Sequence, residues 1–200
     1  ITAYGALIDI AKIGKGDAVI ITAASSSVGL AAIQIANSVG ATSIATTRTN
    51  AKVSALKAAG AAHVVVTEEQ DLVTAINAIT NGKGARIVFD PIGGQSVDKL
   101  AQATSPGGTL ILYGGLSLEP TMFPVASAFM KGLSLRGYVM VEIVGDKARR
   151  EAAIAFITKG LEAGTLKPVI AKTFPFDSIV EAHRYLESNA QFGKIVVTVG

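Results

Sequence analysis

Six short runs rich in β-branched residues mark this chain: Ala18–Thr22, Thr42–Thr47, His63–Thr67, Arg86–Asp90, Thr109–Tyr113 and Leu133–Val139. Apart from the last they are apolar throughout rather than alternating with polar residues, as strands covered on both faces read. Between the first five lie stretches of helical spacing, Val28–Val39, Ala51–Ala59, Asp71–Thr80 and Ser96–Thr104. Ile33, Ala36 and Gly40 fall three or four residues apart, as do Val73, Ile76 and Ile79. Strands alternating with helices of this length form βαβ units and a parallel sheet. Right-handed crossovers leave few ways to wind it.

The punctuation agrees. Gly40 and Gly60 stand where the first two crossover helices end, at the position favoured for a left-handed cap, and Asn81-Gly82 closes the third. Gly14–Asp17 separates a leading helix, Tyr4–Ile13, from the first strand, and Pro106–Gly108 reads as a turn into the fifth. Gly114–Pro124 has no period and reads as a long loop, with Phe123, Phe129 and Met130 packing in or near it, the alternative for these three being a substrate-facing role. A helix over Asp146–Ala163 turns Ile154, Phe156, Ile157 and Leu161 to its apolar side, and Lys147, Arg149 and Arg150 read as a solvated face. A strand (Val169–Phe174), a helix capped near Asp177 (Ser178–Leu186) and a last strand (Lys194–Val199) complete the chain.

Composition narrows the function classes. Half of the 200 residues are apolar and 16% are charged, which excludes disorder. The net charge of +3 suits an anionic small ligand better than nucleic acid, which calls for clustered Lys and Arg. No apolar stretch reaches the roughly 20 residues of a spanning helix. There is no Cys, hence no disulfide framework or thiolate metal site. The two His residues, His63 and His183, are far apart, against a local His-based zinc site. No metal is expected in this stretch. No signal-peptide pattern follows Ile1, and the expected location is cytoplasmic.

The first strand runs into Ala23-Ala24-Ser25-Ser26-Ser27-Val28-Gly29, directly before a helix. Outward-pointing N–H groups and the helix dipole favour a phosphate there, and three Ser hydroxyls can donate as well. Against the G-x-G-x-x-G template only Gly29 is retained, Ala24 and Ser26 replacing the other two glycines. The alternative is an ordinary serine N-cap turn; the strand before and helix after favour a dinucleotide.

Dinucleotide sheets that take NAD place an acid near the end of the second strand to bind the ribose 2′-hydroxyl. Here that strand ends Thr46-Thr47-Arg48-Thr49-Asn50, with Arg48 and Lys52 the charges nearby. A guanidinium pairs with a 2′-phosphate through charge-assisted bonds, so NADPH is expected over NADH. The alternative is that Arg48 is a solvated surface residue. Asp90, at the end of the fourth strand, is open between a cofactor-site residue and a capping residue in the turn.

In order and spacing, several motifs resemble the nucleotide-binding half of the medium-chain dehydrogenase/reductase superfamily, nearest its zinc-independent NADPH:quinone and enone reductases. They are Thr2-Ala3-Tyr4-Gly5-Ala6-Leu7, Gly16–Ile21 with Ala23–Gly29, Gly60-Ala61, Asp90-Pro91-Ile92-Gly93-Gly94, Gly107-Gly108, Tyr113-Gly114, Leu135–Tyr138 and Gly193–Val196. The resemblance implies a Rossmann fold, a doubly wound six-stranded parallel α/β sheet of order 3-2-1-4-5-6 over residues 1–142. Residues 143–200 would form a C-terminal helix and a return to a GroES-like substrate domain whose N-terminal part is absent. It assigns the pyrophosphate to Ser25, Ser26, Ser27, Val28 and Gly29. Thr47 stands where NAD-dependent relatives carry the acid, and Lys52 matches a lysine directed at the 2′-phosphate. Asp90, Ile92, Gly93, Tyr113 and Gly114 would line the nicotinamide, with Tyr138 near its carboxamide. Thr67 stands where quinone reductases carry a Tyr, and the serine turn is poorer in glycine than theirs.

The expected activity is hydride transfer from NADPH to a quinone or α,β-unsaturated carbonyl, with redox chemistry carried by the cofactor and no acid–base residue identified. The alternatives are a zinc-dependent alcohol dehydrogenase relative, its ligands lying before Ile1, and a module that binds NADPH without turnover. The short-chain Tyr-x-x-x-Lys signature is absent, because Ile8, Ser117, Glu142 and Asn189 follow the four tyrosines at that spacing. The edge strand 133–139 invites an isologous homodimer. The expected partners are then a small carbonyl or quinone and a second copy, with no nucleic acid and no membrane.

Overall fold

The computed structural model describes residues 1–200. The chain opens with a helix, α1 (Thr2–Tyr4), that continues as a π-helical turn over Gly5–Ile10. Strands and helices then alternate: β1 (Ala18–Ile21), α2 (Ser27–Ser38), β2 (Thr42–Thr47), α3 (Val53–Ala58, entered through a 3-10 turn at Asn50–Lys52), β3 (His63–Val66), α4 (Leu72–Ile79), β4 (Ala85–Asp90), α5 (Ser96–Ala103) and β5 (Thr104–Leu112). Next come α6 (Val125–Lys131), β6 (Ser134–Gly137), α7 (Val141–Val144), α8 (Lys147–Glu162), β7 (Ile170–Pro175), α9 (Ile179–Glu187, after a 3-10 turn at Phe176–Ser178) and β8 (Lys194–Thr198).

β1–β6 form one six-stranded sheet in the order β3-β2-β1-β4-β5-β6, every neighbouring pair parallel. The doubly wound α/β architecture expected from the apolar runs is therefore present. Both faces are covered. Ile21, Ile33, Ala45, Phe89 and Ile111 belong to one apolar cluster. Ile20, Ile44, Val88, Leu100 and Leu110 belong to the other. Because consecutive strand residues alternate sides, Ile20 and Ile21 go to opposite clusters, which is why β1 must be apolar at both. A second, two-stranded parallel sheet joins β7 and β8. Side-chain caps start three helices: Ser26 accepts from the Gly29 N–H, Asp71 from Thr74 and Asp146 from Arg149. Gly40, Gly60, Asn81 and Gly82 all adopt positive φ where helix ends were expected. No helix is long and apolar enough to cross a membrane.

Several expectations need correction. Pro106–Gly108 is not a turn before β5. It bulges out inside the strand, where the pairing steps from Ala85↔Thr104 to Ile87↔Thr109. α6 lies where only loop packing was expected, and Phe123, Phe129 and Met130 are exposed rather than packed. The core side of α8 is Ala153 and Gly160 with Phe156 and Ile157 beside them, whereas Ile154 and Leu161 face outward. A Cβ at Gly160 would come within 2.6 Å of Leu166, so small residues set this contact and an apolar stripe misdirects. Asp177 does not cap α9; it sits in the preceding 3-10 turn and Ser178 makes no side-chain cap. Arg149 is no free surface charge, since it pairs with Asp9 and donates to the Glu142 carbonyl. Arg150 likewise donates to the Val144 carbonyl.

Candidate nucleotide-binding site

The order of strands reverses between β1 and β4, and in open α/β sheets the crevice at the carboxyl ends beside that reversal is where ligands bind. Four connections arrive there: Thr22–Ser26 after β1, Arg48–Lys52 after β2, Pro91–Gly94 after β4 and Tyr113–Gly114 after β5.

The turn after β1 is tight. Ala23 takes φ +45°, a left-handed conformation an alanine adopts at a cost of order 1–3 kcal/mol. Ser26 lies in extended backbone, φ −71° and ψ 160°, so no glycine is needed there, and its Oγ accepts from the Gly29 N–H at 3.0 Å. Gly29 is needed for another reason: a Cβ would sit 2.6 Å from the Ala24 Cα and 2.7 Å from the Ala23 and Ala24 carbonyl oxygens. Strand and helix thus approach as closely as the last glycine of a dinucleotide turn requires. The Val28 N–H, in the first turn of α2, has no hydrogen-bond partner, while the Ser27 N–H faces the Gly193 carbonyl across the bridge between Ser26 and Gly193. A free amide at the positive end of a 12-residue helix, flanked by small residues and serine hydroxyls, fits a pyrophosphate.

Around β2, Thr47 is half-buried and its hydroxyl donates to the Thr49 carbonyl. Arg48 is exposed, and its guanidinium makes neither hydrogen bond nor ion pair. Lys52 is half-buried, and burial first, then Arg48, lower its pKa.

The connections after β4 and β5 are joined. Asp90 is fully buried; the Thr22 hydroxyl donates to one carboxylate oxygen, Ile92 N–H to the same oxygen at 3.2 Å, and Gly93 N–H to the other at 2.8 Å. It caps the turn and ties β1 to β4. The N–H groups of Leu116 and Ser117 donate to the Pro91 and Ile92 carbonyls, and Gly114 has room for no Cβ against Pro91. Tyr113 stacks on buried Phe89, ring centroids 3.9 Å apart. Its hydroxyl is buried without a partner, and burial followed by the Asp90 charge raises its pKa.

Tyr138 follows the carboxyl end of β6. It is buried, with its hydroxyl against Gly5 of the leading helix and close to Ile143. The other expected residues come together at the carboxyl ends of the strands. One participant had no local signal. The tail before β8 returns to the phosphate turn, Gly193 N–H donating to the Ser25 carbonyl at 2.9 Å and Gly193 bridging to Ser26. Between this tail, α9 and the turn lies a hollow of about 260 Å³ lined by Ser27, His183, Gln191 and Lys194 among others. A larger one, about 490 Å³, lies by Gln34, Asn37 and Lys167 at the other end of α2, away from the strand ends. No three His, Cys, Asp or Glu side chains come together as a metal ion would need.

Comparison with known proteins places this geometry. The family model described as zinc-binding dehydrogenase matches residues 27–159. A 2-haloacrylate reductase from Burkholderia sp is 28% identical over 192 residues, covering 93% of this chain and 56% of that protein. An NAD-dependent alcohol dehydrogenase structure superposes with a TM-score of 0.89 at 34% identity, over 100% of this chain and 56% of that one. The Escherichia coli quinone oxidoreductase complexed with NADPH superposes with a TM-score of 0.90 at 26% identity, over 98% of this chain and 61% of that one. The chain thus spans little more than half the length of these relatives. The match over most of α2 to α8, with the fold superposing from end to end, shows that the chain belongs to the zinc-binding dehydrogenase family of the medium-chain dehydrogenase/reductase superfamily.

Proposed function

We propose that this chain is the nucleotide-binding part of an NADPH-dependent oxidoreductase that reduces a quinone or an α,β-unsaturated carbonyl compound. The observation that carries it is the glycine-tight turn into α2, with the Val28 amide free at the positive end of the helix, set beside a second strand that ends in Thr47-Arg48 with no acid. The 2-haloacrylate reductase, whose substrate by name is an α,β-unsaturated acid, and the NADPH-bound quinone oxidoreductase support the same class.

Ser25–Gly29 hold the pyrophosphate. Thr47 and Arg48, with Lys52 behind them, meet the adenosine ribose, where a guanidinium favours a 2′-phosphate. Ile92, Gly93, Tyr113 and Gly114 wall the nicotinamide, and Asp90 fixes that wall by capping it. Bound NADPH supplies the hydride, while these residues bind and orient. Residues 143–200 return to a substrate domain, two copies pair along β6, and the setting is cytoplasmic. A second reading, an NAD-dependent alcohol dehydrogenase, is favoured by the 34% identity to one such structure.

Equilibrium titration with both cofactors decides between them. NADPH is expected to bind about ten- to a hundredfold tighter than NADH, the worth of one hydrogen bond to a charged group. Equal or reversed affinities overturn the assignment. NADPH oxidation by the chain with a quinone or an enone added distinguishes turnover from binding alone.

A further inference from the structure

Two cations near the phosphate turn differ in what they hold. The Lys52 ammonium donates to the Asn189 carbonyl at 2.7 Å, the Gln191 carbonyl at 2.9 Å and the Ser25 hydroxyl at 3.1 Å. An ammonium has three N–H donors, and all three are engaged within the protein. The segment it grips is built to stay there. Asn189 takes φ +55° and Gly193 φ +104°, and a Cβ on Gly193 would collide with the Val169 carbonyl. Gly193 N–H closes the arrangement on the Ser25 carbonyl. Arg48, four residues before Lys52, offers all its donors to solvent.

Resting on the NADPH reading, we propose that the two cations divide the work: Arg48 distinguishes the 2′-phosphate, and Lys52 is a positioning residue that ties segment 189–193 to the phosphate turn. For Lys52 to reach a phosphate it must release a carbonyl or the Ser25 hydroxyl. Arg48 releases nothing, and its planar fork matches phosphate oxygens two at a time.

The test combines cofactor affinities with amide exchange at Gly193 in the unaltered chain, Arg48→Gln and Lys52→Met. Arg48→Gln is expected to weaken NADPH by about tenfold or more and NADH by less, narrowing their ratio, with Gly193 exchange as in the unaltered chain. Lys52→Met is expected to speed Gly193 exchange and weaken both cofactors by the same factor, keeping their ratio. Loss of that ratio in Lys52→Met, with Gly193 exchange as in the unaltered chain, overturns the proposal. A check needing no variant is exchange under saturating NADPH: Gly193 is expected to exchange no faster than in the free chain, and acceleration overturns the latch. If the unaltered chain binds neither cofactor, the NADPH reading fails and takes the Arg48 assignment with it. Exchange in Lys52→Met still decides the latch, since it requires no cofactor.

Discussion

Ser26 and Asp90 do similar jobs on opposite sides of the crevice, each holding backbone N–H groups that would otherwise drift. At Asp90 the job is buried: three donors converge on one carboxylate. Asp90→Ala should therefore lower unfolding free energy by about 2–3 kcal/mol, because it strands a buried hydroxyl and two N–H groups. A denaturant melt showing unchanged stability would mean the carboxylate serves the cofactor alone. Tyr138 makes a different demand. Burial, then Glu142, push its phenol up to about 12 from 10.0. A raised value means the folded state favours the neutral phenol. That stability is intact below pH 10 and is lost as pH rises through 12. A difference absorbance titration between the unaltered chain and Tyr138→Phe should show this ring ionising near 12; ionisation near 10 would place it in solvent.

Between elements, the closest approach is the one Gly29 permits between α2 and the turn after β1. In Gly29→Ala the new methyl meets backbone atoms that cannot rotate away. Helix and strand must part at a cost of about 1–3 kcal/mol, and cofactor affinity should fall with it. A variant with wild-type melting and wild-type affinity would contradict this packing. Elsewhere, Arg86 clamps β4 to the segment before β1, reaching both Asp17 carboxylate oxygens at 2.6 and 2.7 Å and the Ala11 and Lys12 carbonyls. Burial opposes ionisation of Asp17, but the Arg86 bonds and the Gly14 N–H outweigh it and lower the pKa. Its stabilisation is present above the ordinary carboxylate value and lost as pH falls through the folded one. In Asp17→Asn the acid limb of the stability profile should be shallower; an unchanged limb would show the pair contributes nothing.

The elements also show where the sequence was legible. β1–β5 could be read because burial on both faces forces continuous apolar runs, and glycines with positive φ mark the helix ends. α6 was not legible because it buries no residue, so no periodic stripe records it. Tyr138, the first residue after β6, continues the alternation of the strand onto the face that holds Ile111 and packs in that cluster. The grip of Lys52 on the tail joins residues 137 and 139 positions apart, a pairing that no local pattern encodes.

At the scale of the molecule, β6 has a partner on one side only. Exposed Phe123, Phe129, Met130 and Val139 stand close to it in the chain. Open strand edges beside apolar surface associate. Sedimentation at micromolar concentration should give a dimer, and Leu135→Lys should shift it toward monomer; a monomer at all concentrations contradicts pairing along this edge. The crevice at the strand ends is the centre of the account, and a crystal of the chain soaked with NADPH tests it most directly. The diphosphate should lie within hydrogen-bond reach of the Val28 amide, with the 2′-phosphate against Arg48. A crevice without the cofactor, or a cofactor bound away from that turn, would contradict it.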